Sequence, residues 1–208
     1  MSDVLLELLR GRVSVERFDP TRSLDEREIR ELVADATTAP SSFNIQHWRF
    51  IAIRRPEDKA RLREAAFGQA QVEDAAVTFV VLGDVQGADK LPAILERAVA
   101  DGTLPEPKAA AWLRMARALY AEPAAAREEA QRSACLAAMT LMLAAQARGL
   151  GTAALSGFDA ELVRREFAID ERYVPVMLVA VGHAASVHAG RQPRLPLDEV
   201  LAFDRGGF

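Results

Sequence analysis

Val4, Leu5, Leu8 and Leu9 recur at helical spacing and Gly11 follows them, so the chain opens on a short amphipathic helix. Residues 12–20 fit strand or loop equally well. Ser23 and Glu26 have the spacing of a capping box, and Ile29, Leu32, Val33 and Ala36 mark one face of a helix running to about Ala39, where Pro40 stops it. Residues 40–47 are small and polar and predict a loop. Trp48, Phe50, Ile51 and Ile53 after it are strand formers. Pro56 suits the first position of a helix to about Ala66. The apolar runs 76–83 and 174–182 are rich in β-branched residues and predict strands buried on both faces.

The alanine-rich stretch 88–148 breaks at Asp101-Gly102 and near Pro123, which predicts three helices, the last and longest ending at Gly149. Its apolar segment 134–145 predicts a buried helix at the spine of the core and is shorter than the ~20 residues that span a bilayer. Asp159 is placed to cap a helix through Phe167, and the tail from Ala184 reads as loop. No repeat, low-complexity tract or linker divides the chain. The expectation is a single α+β domain over residues 1–208, with a central sheet.

Composition narrows the function. The 208 residues carry 26 Lys and Arg against 30 Asp and Glu, a net charge of −4. That balance offers no general attraction for nucleic acid or anionic lipid. Cys135 is the single cysteine, which excludes an internal disulfide or a thiolate cluster and fits a reducing compartment. Asp3 and Glu7 among the first leucines do not make a secretory signal, so a cytoplasmic protein is expected.

Candidate chemistry is sparse. Gly149-Leu150-Gly151-Thr152-Ala153-Ala154 matches the G-x-G-x-x-A dinucleotide fingerprint, yet a helix precedes it where that fingerprint needs a strand, so Gly149 reads as a helix C-cap. Phosphate-loop, nucleophile-elbow and zincin motifs do not occur. His47, His183 and His188 are scattered and read as loop or surface histidines, and Cys135 as a small hydrophobe in its helix. What is left is polar segments outside the regular elements: Arg12 with Ser14, residues 40–46, Leu155-Ser156-Gly157, and Arg194. Arginines and serines on loops suit a phosphate monoester, and Asn and Gln suit hydroxyls and ring carbonyls. The same residue types also build ordinary turns. Pattern alone leaves both readings open.

Four segments in this order carry a resemblance. They are Arg12-x-Ser14-Val15-x-x-Phe18-Asp19-Pro20; Ala36-Thr37-Thr38-Ala39-Pro40-Ser41-Ser42-x-Asn44-x-Gln46-x-Trp48-Arg49-Phe50; Gly149-Leu150-Gly151-Thr152 leading to Gly157-Phe158-Asp159; and Arg194-x-Pro196-Leu197-Asp198-Glu199-Val200. From Arg10 to about Phe203 the chain resembles the nitroreductase family of FMN-dependent oxidoreductases, nearest its quinone- and nitro-reducing branch. The resemblance implies the nitroreductase-like fold, a central mixed β-sheet flanked by helices, in a homodimer with FMN at the interface. It implies that Arg12 and Ser14 contact the FMN phosphate and ribityl chain, with Arg194 a second phosphate arginine. Pro40, Ser41, Ser42 and Asn44 would approach from the partner subunit. Leu155, Ser156 and Gly157 would line the isoalloxazine, the Gly157 N–H donating to N5, and Gln71 would stand near the N1 and O2 edge.

A flavin accepting hydride gains negative charge at N1 and O2, and the hard chemistry belongs to the cofactor, so no nucleophile or metal is needed from the protein. The implied reaction takes hydride from NADH or NADPH to a nitroaromatic or quinone in ping-pong fashion. Dehalogenation, ene reduction or flavin breakdown on the same scaffold, or flavin binding with little turnover, are the alternatives, and residues 88–122 would set substrate class. The chain departs from the family pattern in Val13 and Glu16, which lower positive charge near the phosphate, and in His47, which replaces a proline and frees φ there. The tail before Arg194 has no lysine, leaving Arg12 and Arg194 to hold the phosphate.

Overall fold

The computed structural model describes residues 2–185 and 190–206. Its centre is a four-stranded sheet of β1 (Trp48–Ile53), β2 (Val77–Asp84), β3 (Gly151–Leu155) and β4 (Tyr173–Gly182), in the spatial order β1-β2-β4-β3. Every ladder is antiparallel, and the parallel pairing of the expected mixed sheet is confined to an isolated bridge between Ser14 and Thr152. All eight residues of β2 are buried, as its unbroken apolar run requires.

Alternation along the strands sorts two cores. Val80 and Leu178 face α3 (Pro56–Ala65), α4 (Ala70–Asp74) and α8 (Ala160–Glu166), meeting Leu62, Val72 and Val163. Phe79, Val81 and Val179 face α2 (Glu26–Ala36) and α7 (Pro123–Ala147), meeting Leu32, Ala138 and Leu141. A Cβ added at Gly83 would stand 2.8 Å from the Ala130 carbonyl oxygen, so glycine there lets α7 lie close on the sheet.

The capping box of α2 sits two residues later than Ser23 and Glu26 suggest. Asp25 Oδ1 accepts from the Glu28 N–H at 2.8 Å, and Glu28 Oε2 accepts from the Asp25 N–H at 2.7 Å. Leu24 before the cap and Ile29 after it are both buried in one cluster, a hydrophobic staple that the earlier register would lose. Asp159 caps α8 as expected, accepting from the Glu161 and Leu162 N–H groups. Gly149 takes a left-handed φ of 73° and ends α7, as a C-cap should; Gly151–Leu155, with no β-branched run to announce it, then forms edge strand β3.

Two expectations about α7 are corrected. Its inward face is largely alanine, while Cys135, Leu136 and Met139 point outward, so 134–145 is buried on one side only and Cys135 is exposed. Before α7, α5 (Leu91–Ala100) and α6 (Glu106–Tyr120) pack over Ile45 and Phe43 in a small core of their own. At the N-terminus α1 (Ser2–Gly11) rests against α7, where Gln146 Nε2 donates to the Leu8 carbonyl at 2.9 Å. The tail, with a short α9 (Leu197–Val200), leaves Leu195, Leu197, Val200, Leu201 and Phe203 half or more exposed. No helix among the described residues is long and apolar enough to cross a membrane.

Candidate functional site

The Ser14–Thr152 bridge, with the Val15 N–H donating to the Thr152 carbonyl at 2.8 Å, pins residues 12–15 along the outer edge of β3. Val15 turns inward to the core and Ser14 is exposed. Arg12 is half-buried there. Burial, and behind it the charges of Arg191 and Arg194, lower its guanidinium below the ordinary value. Arg191 was not among the candidates. It is held by donation to the carbonyls of Leu9, Arg10 and Arg12 at 2.8–2.9 Å, where the last turn of α1 leaves acceptors without helical partners. Among the described residues none of these three arginines has a carboxylate partner.

Further along the same edge β3 ends at buried Leu155, and Ser156 and Gly157 are exposed in the turn that follows. Gln69 Nε2 donates to the Gly157 carbonyl at 2.7 Å. Among the described residues the Gly157 N–H has no protein acceptor. Gln71 lies half-buried on α4, two residues past the glutamine that touches this turn. Sequence spacing gave no means of choosing between the two.

Pro40, Ser41, Ser42 and Asn44 lie elsewhere, in the loop entering β1. Phe43, Asn44 and Gln46 all have positive φ, between 52° and 58°, a conformation that costs non-glycine residues free energy. The Ser41 Oγ accepts from the Gln46 N–H at 2.9 Å and closes the loop, while Phe43 meets Trp112 of α6 edge-on at 5.9 Å.

His47, read as a loop or surface histidine, does stand at the end of this loop, but it is fully buried. Its Nδ1 lies 2.8 Å from the Asp84 backbone carbonyl, so that nitrogen carries the proton, and Nε2 accepts from the Tyr120 hydroxyl at 3.1 Å. Burial lowers the imidazole pKa and pushes the Tyr120 phenol up to about 12. Gly87 leaves the ring its space, since a Cβ there would come 2.5 Å from Nδ1.

The Asp84 carboxylate is likewise buried. Burial alone would raise its pKa, but Arg172 (Nε to Oδ1 at 2.6 Å, Nη2 to Oδ2 at 3.0 Å), with the Gln86 N–H and Arg49, holds it below the ordinary value. Lys90 approaches at 3.6 Å. Nothing in the spacing of these residues announced the cluster. The partners come from strand ends and turns far apart in sequence. His183 stands apart near Asp19, and His188 lies outside the described residues.

One chain does not bring the candidates together. Thr152 pairs with Val181, whereas Trp48 pairs with Gly83 and through it with Val174. The loop and the Arg12 edge therefore sit at diagonally opposite corners of the sheet, ~23 Å apart along the strands and ~14 Å across them. A cleft of about 1140 Å³ between α2, β1 and α5 opens beside the loop at Gln46 and Arg49, and Arg12, Ser14, Ser156 and Gly157 do not line it.

Known proteins match this chain over nearly its full length. The nitroreductase family profile matches residues 9–183. YodC of Bacillus subtilis, named as an NAD(P)H nitroreductase, is 35% identical over 94% of this chain and 96% of its own. A CLA biosynthesis enone reductase from Lactiplantibacillus plantarum is 32% identical over 87% of this chain and 86% of its own. A nitroreductase structure from Exiguobacterium sibiricum, in complex with FMN, superposes with a TM-score of 0.88 at 31% identity over 96% and 97%. On fold, length and sequence together, the chain belongs to the nitroreductase family.

Proposed function

We propose that this FMN-dependent NAD(P)H oxidoreductase passes hydride from NADH or NADPH to a nitroaromatic or quinone acceptor in ping-pong fashion, in a site closed by two copies of the chain. The observation that carries the reading is the arginine cluster. Arg12, Arg191 and Arg194 crowd together without a carboxylate among the described residues. A phosphate dianion would relieve that repulsion with charge-assisted hydrogen bonds. The acceptor-free Gly157 N–H fits a donor aimed at the flavin edge.

When bound, FMN supplies the two-electron chemistry. The chain binds and orients. Arg12 and Arg194 hold the phosphate beside Ser14, and Arg191 adds charge while fixing the Arg12 backbone. Leu155, Ser156 and Gly157 line the ring, with Gln71 toward the N1 and O2 edge. Pro40, Ser41, Ser42 and Asn44 of a second copy cover the opposite side. The diagonal separation within one chain supports that division, and so does the apolar surface left exposed on α1, α7 and the tail.

An absorption spectrum of the purified protein tests the cofactor, with flavin bands expected, and steady-state NADH and NADPH oxidation with a quinone tests the reaction. Protein that takes up no added FMN overturns the reading. Ene reduction is the second reading, favoured by the enone reductase relative. An enone acceptor turned over faster than any quinone would establish it.

A further inference from the structure

We infer that Tyr120 and His47 are positioning residues for the loop that presents Ser42 and Asn44, fixing its end at His47 through directed hydrogen bonds to β2 and α6. The His47 Nδ1–H donates to the Asp84 carbonyl at 2.8 Å, which leaves Nε2 as the acceptor of the Tyr120 O–H at 3.1 Å. With its proton committed to His47, the Tyr120 oxygen is left as an acceptor, and the Ser42 hydroxyl lies near it. Each group has one role and the order cannot reverse while the Asp84 carbonyl is only an acceptor. The imidazole is fully buried, so an unpaired nitrogen there is costly.

The loop needs such an anchor. Phe43, Asn44 and Gln46 are held at positive φ, and a strained backbone persists only where its surroundings over-determine it. The Ser41 Oγ bond to the Gln46 N–H closes the loop internally. Phe43 against Trp112 and Ser42 against Tyr120 tie it to α6. Tyr120 is the last residue of α6 and His47 the last before β1, so the chain sets the loop against both the sheet and the α5–α6 layer. In consequence a substitution in α6 reaches the cofactor-facing serine without touching cofactor. The role toward FMN rests on the function proposed above; the role toward the loop does not.

Two variants test it. Tyr120→Phe keeps the ring that stands 5.4 Å from the imidazole and deletes the hydroxyl. His47→Asn keeps an N–H toward the Asp84 carbonyl and deletes the acceptor for Tyr120. In FMN-free protein both are expected to speed amide hydrogen exchange at Asn44, Ile45 and Gln46 by about tenfold, the equivalent of ~1.4 kcal/mol of local opening. In FMN titrations followed by flavin fluorescence, both are expected to raise Kd by about tenfold. Placed in a Ser42→Ala background, Tyr120→Phe should then change Kd little, because the cycle closes through Ser42.

Unchanged exchange in the loop with only a lower Tm overturns the inference, since that is what a purely structural tyrosine gives. Full additivity with Ser42→Ala overturns the route through Ser42. A protein that binds no FMN overturns the flavin reading, and the exchange rates still decide whether Tyr120 and His47 hold the loop.

Discussion

Arg172 reaches Asp84 through two nitrogens while Arg49 and Lys90 arrive from other elements, so this one buried carboxylate answers three cations. Asp84→Asn leaves them without their anion, and the expected loss is ~3–5 kcal/mol, read by calorimetry as a fall of ~2–4 °C in Tm per kcal/mol. The folded pKa of Asp84 lies below its unfolded value. Its contribution is therefore present above the unfolded value of ~3.9 and is lost as pH falls through the folded one. His47 acts in the same direction at higher pH. Burial lowers its folded pKa against the opposing pull of the Asp84 carbonyl and the charges of Asp84 and Glu129, with Arg49 adding to the lowering. As pH drops below ~6.5 the unfolded chain takes a proton that the folded chain refuses. Tm should decline from pH 7 to 5, and His47→Asn should flatten that decline. At the arginine cluster, Arg194→Ala is expected to weaken FMN binding by ~1.5–3 kcal/mol, tenfold or more in Kd by equilibrium titration. Glu16, exposed beside Ser14, is expected to repel the phosphate, so Glu16→Lys should tighten binding about tenfold at low salt and less at high salt. Equal affinities would show that its carboxylate turns away.

Gly83 shows how closely the elements are fitted. Alanine there would press on the Ala130 backbone, and Gly83→Ala should cost ~1–3 kcal/mol by denaturant unfolding, where a strand glycine with open space would gain. Elements with a strong period or a long apolar run were legible in advance. β2 and β4 declared themselves by β-branched runs, and the breaks at Asp101-Gly102 and Pro123 did divide α5, α6 and α7. β3 was not legible because Gly151, Ala153 and Ala154 have little intrinsic preference for a strand, and the ladder to β4 makes it one. α4 is five residues held between α3 and β2, too short for any periodicity. The exposure of Cys135 was hidden because α7 is rich in alanine, which does not distinguish an inner face from an outer one. Of the candidate site, the polar segments at Arg12, Ser14, Ser156 and Arg194 were visible as residues without a regular element to serve. His47, Asp84 and Tyr120 were not, because what joins them is the pairing of β1 with β2 and the return of α6, which no local window contains.

At the scale of the molecule, apolar side chains stand on the outer faces of α1 (Val4, Leu5, Leu6, Leu9) and α7 (Leu136, Met139) and along the tail (Leu195, Leu197, Leu201, Phe203). Obligate interfaces bury ~2,000–5,000 Å², and surface of this kind suits one. Sedimentation should give twice 22.7 kDa at micromolar concentration, and Leu136→Glu with Met139→Glu should shift it toward the single chain. A stable monomer that keeps its flavin would overturn the two-copy site. The diagonal placement of the two halves also has a genetic consequence. In the proposed site the arginines come from one chain and the serine loop from the other, so two defective alleles are expected to rescue each other. Co-expressed Arg194→Ala and Asn44→Ala chains should form mixed dimers in which both lesions fall in one site, leaving the other whole and flavin-loaded, while each parent alone carries a lesion in every site it builds.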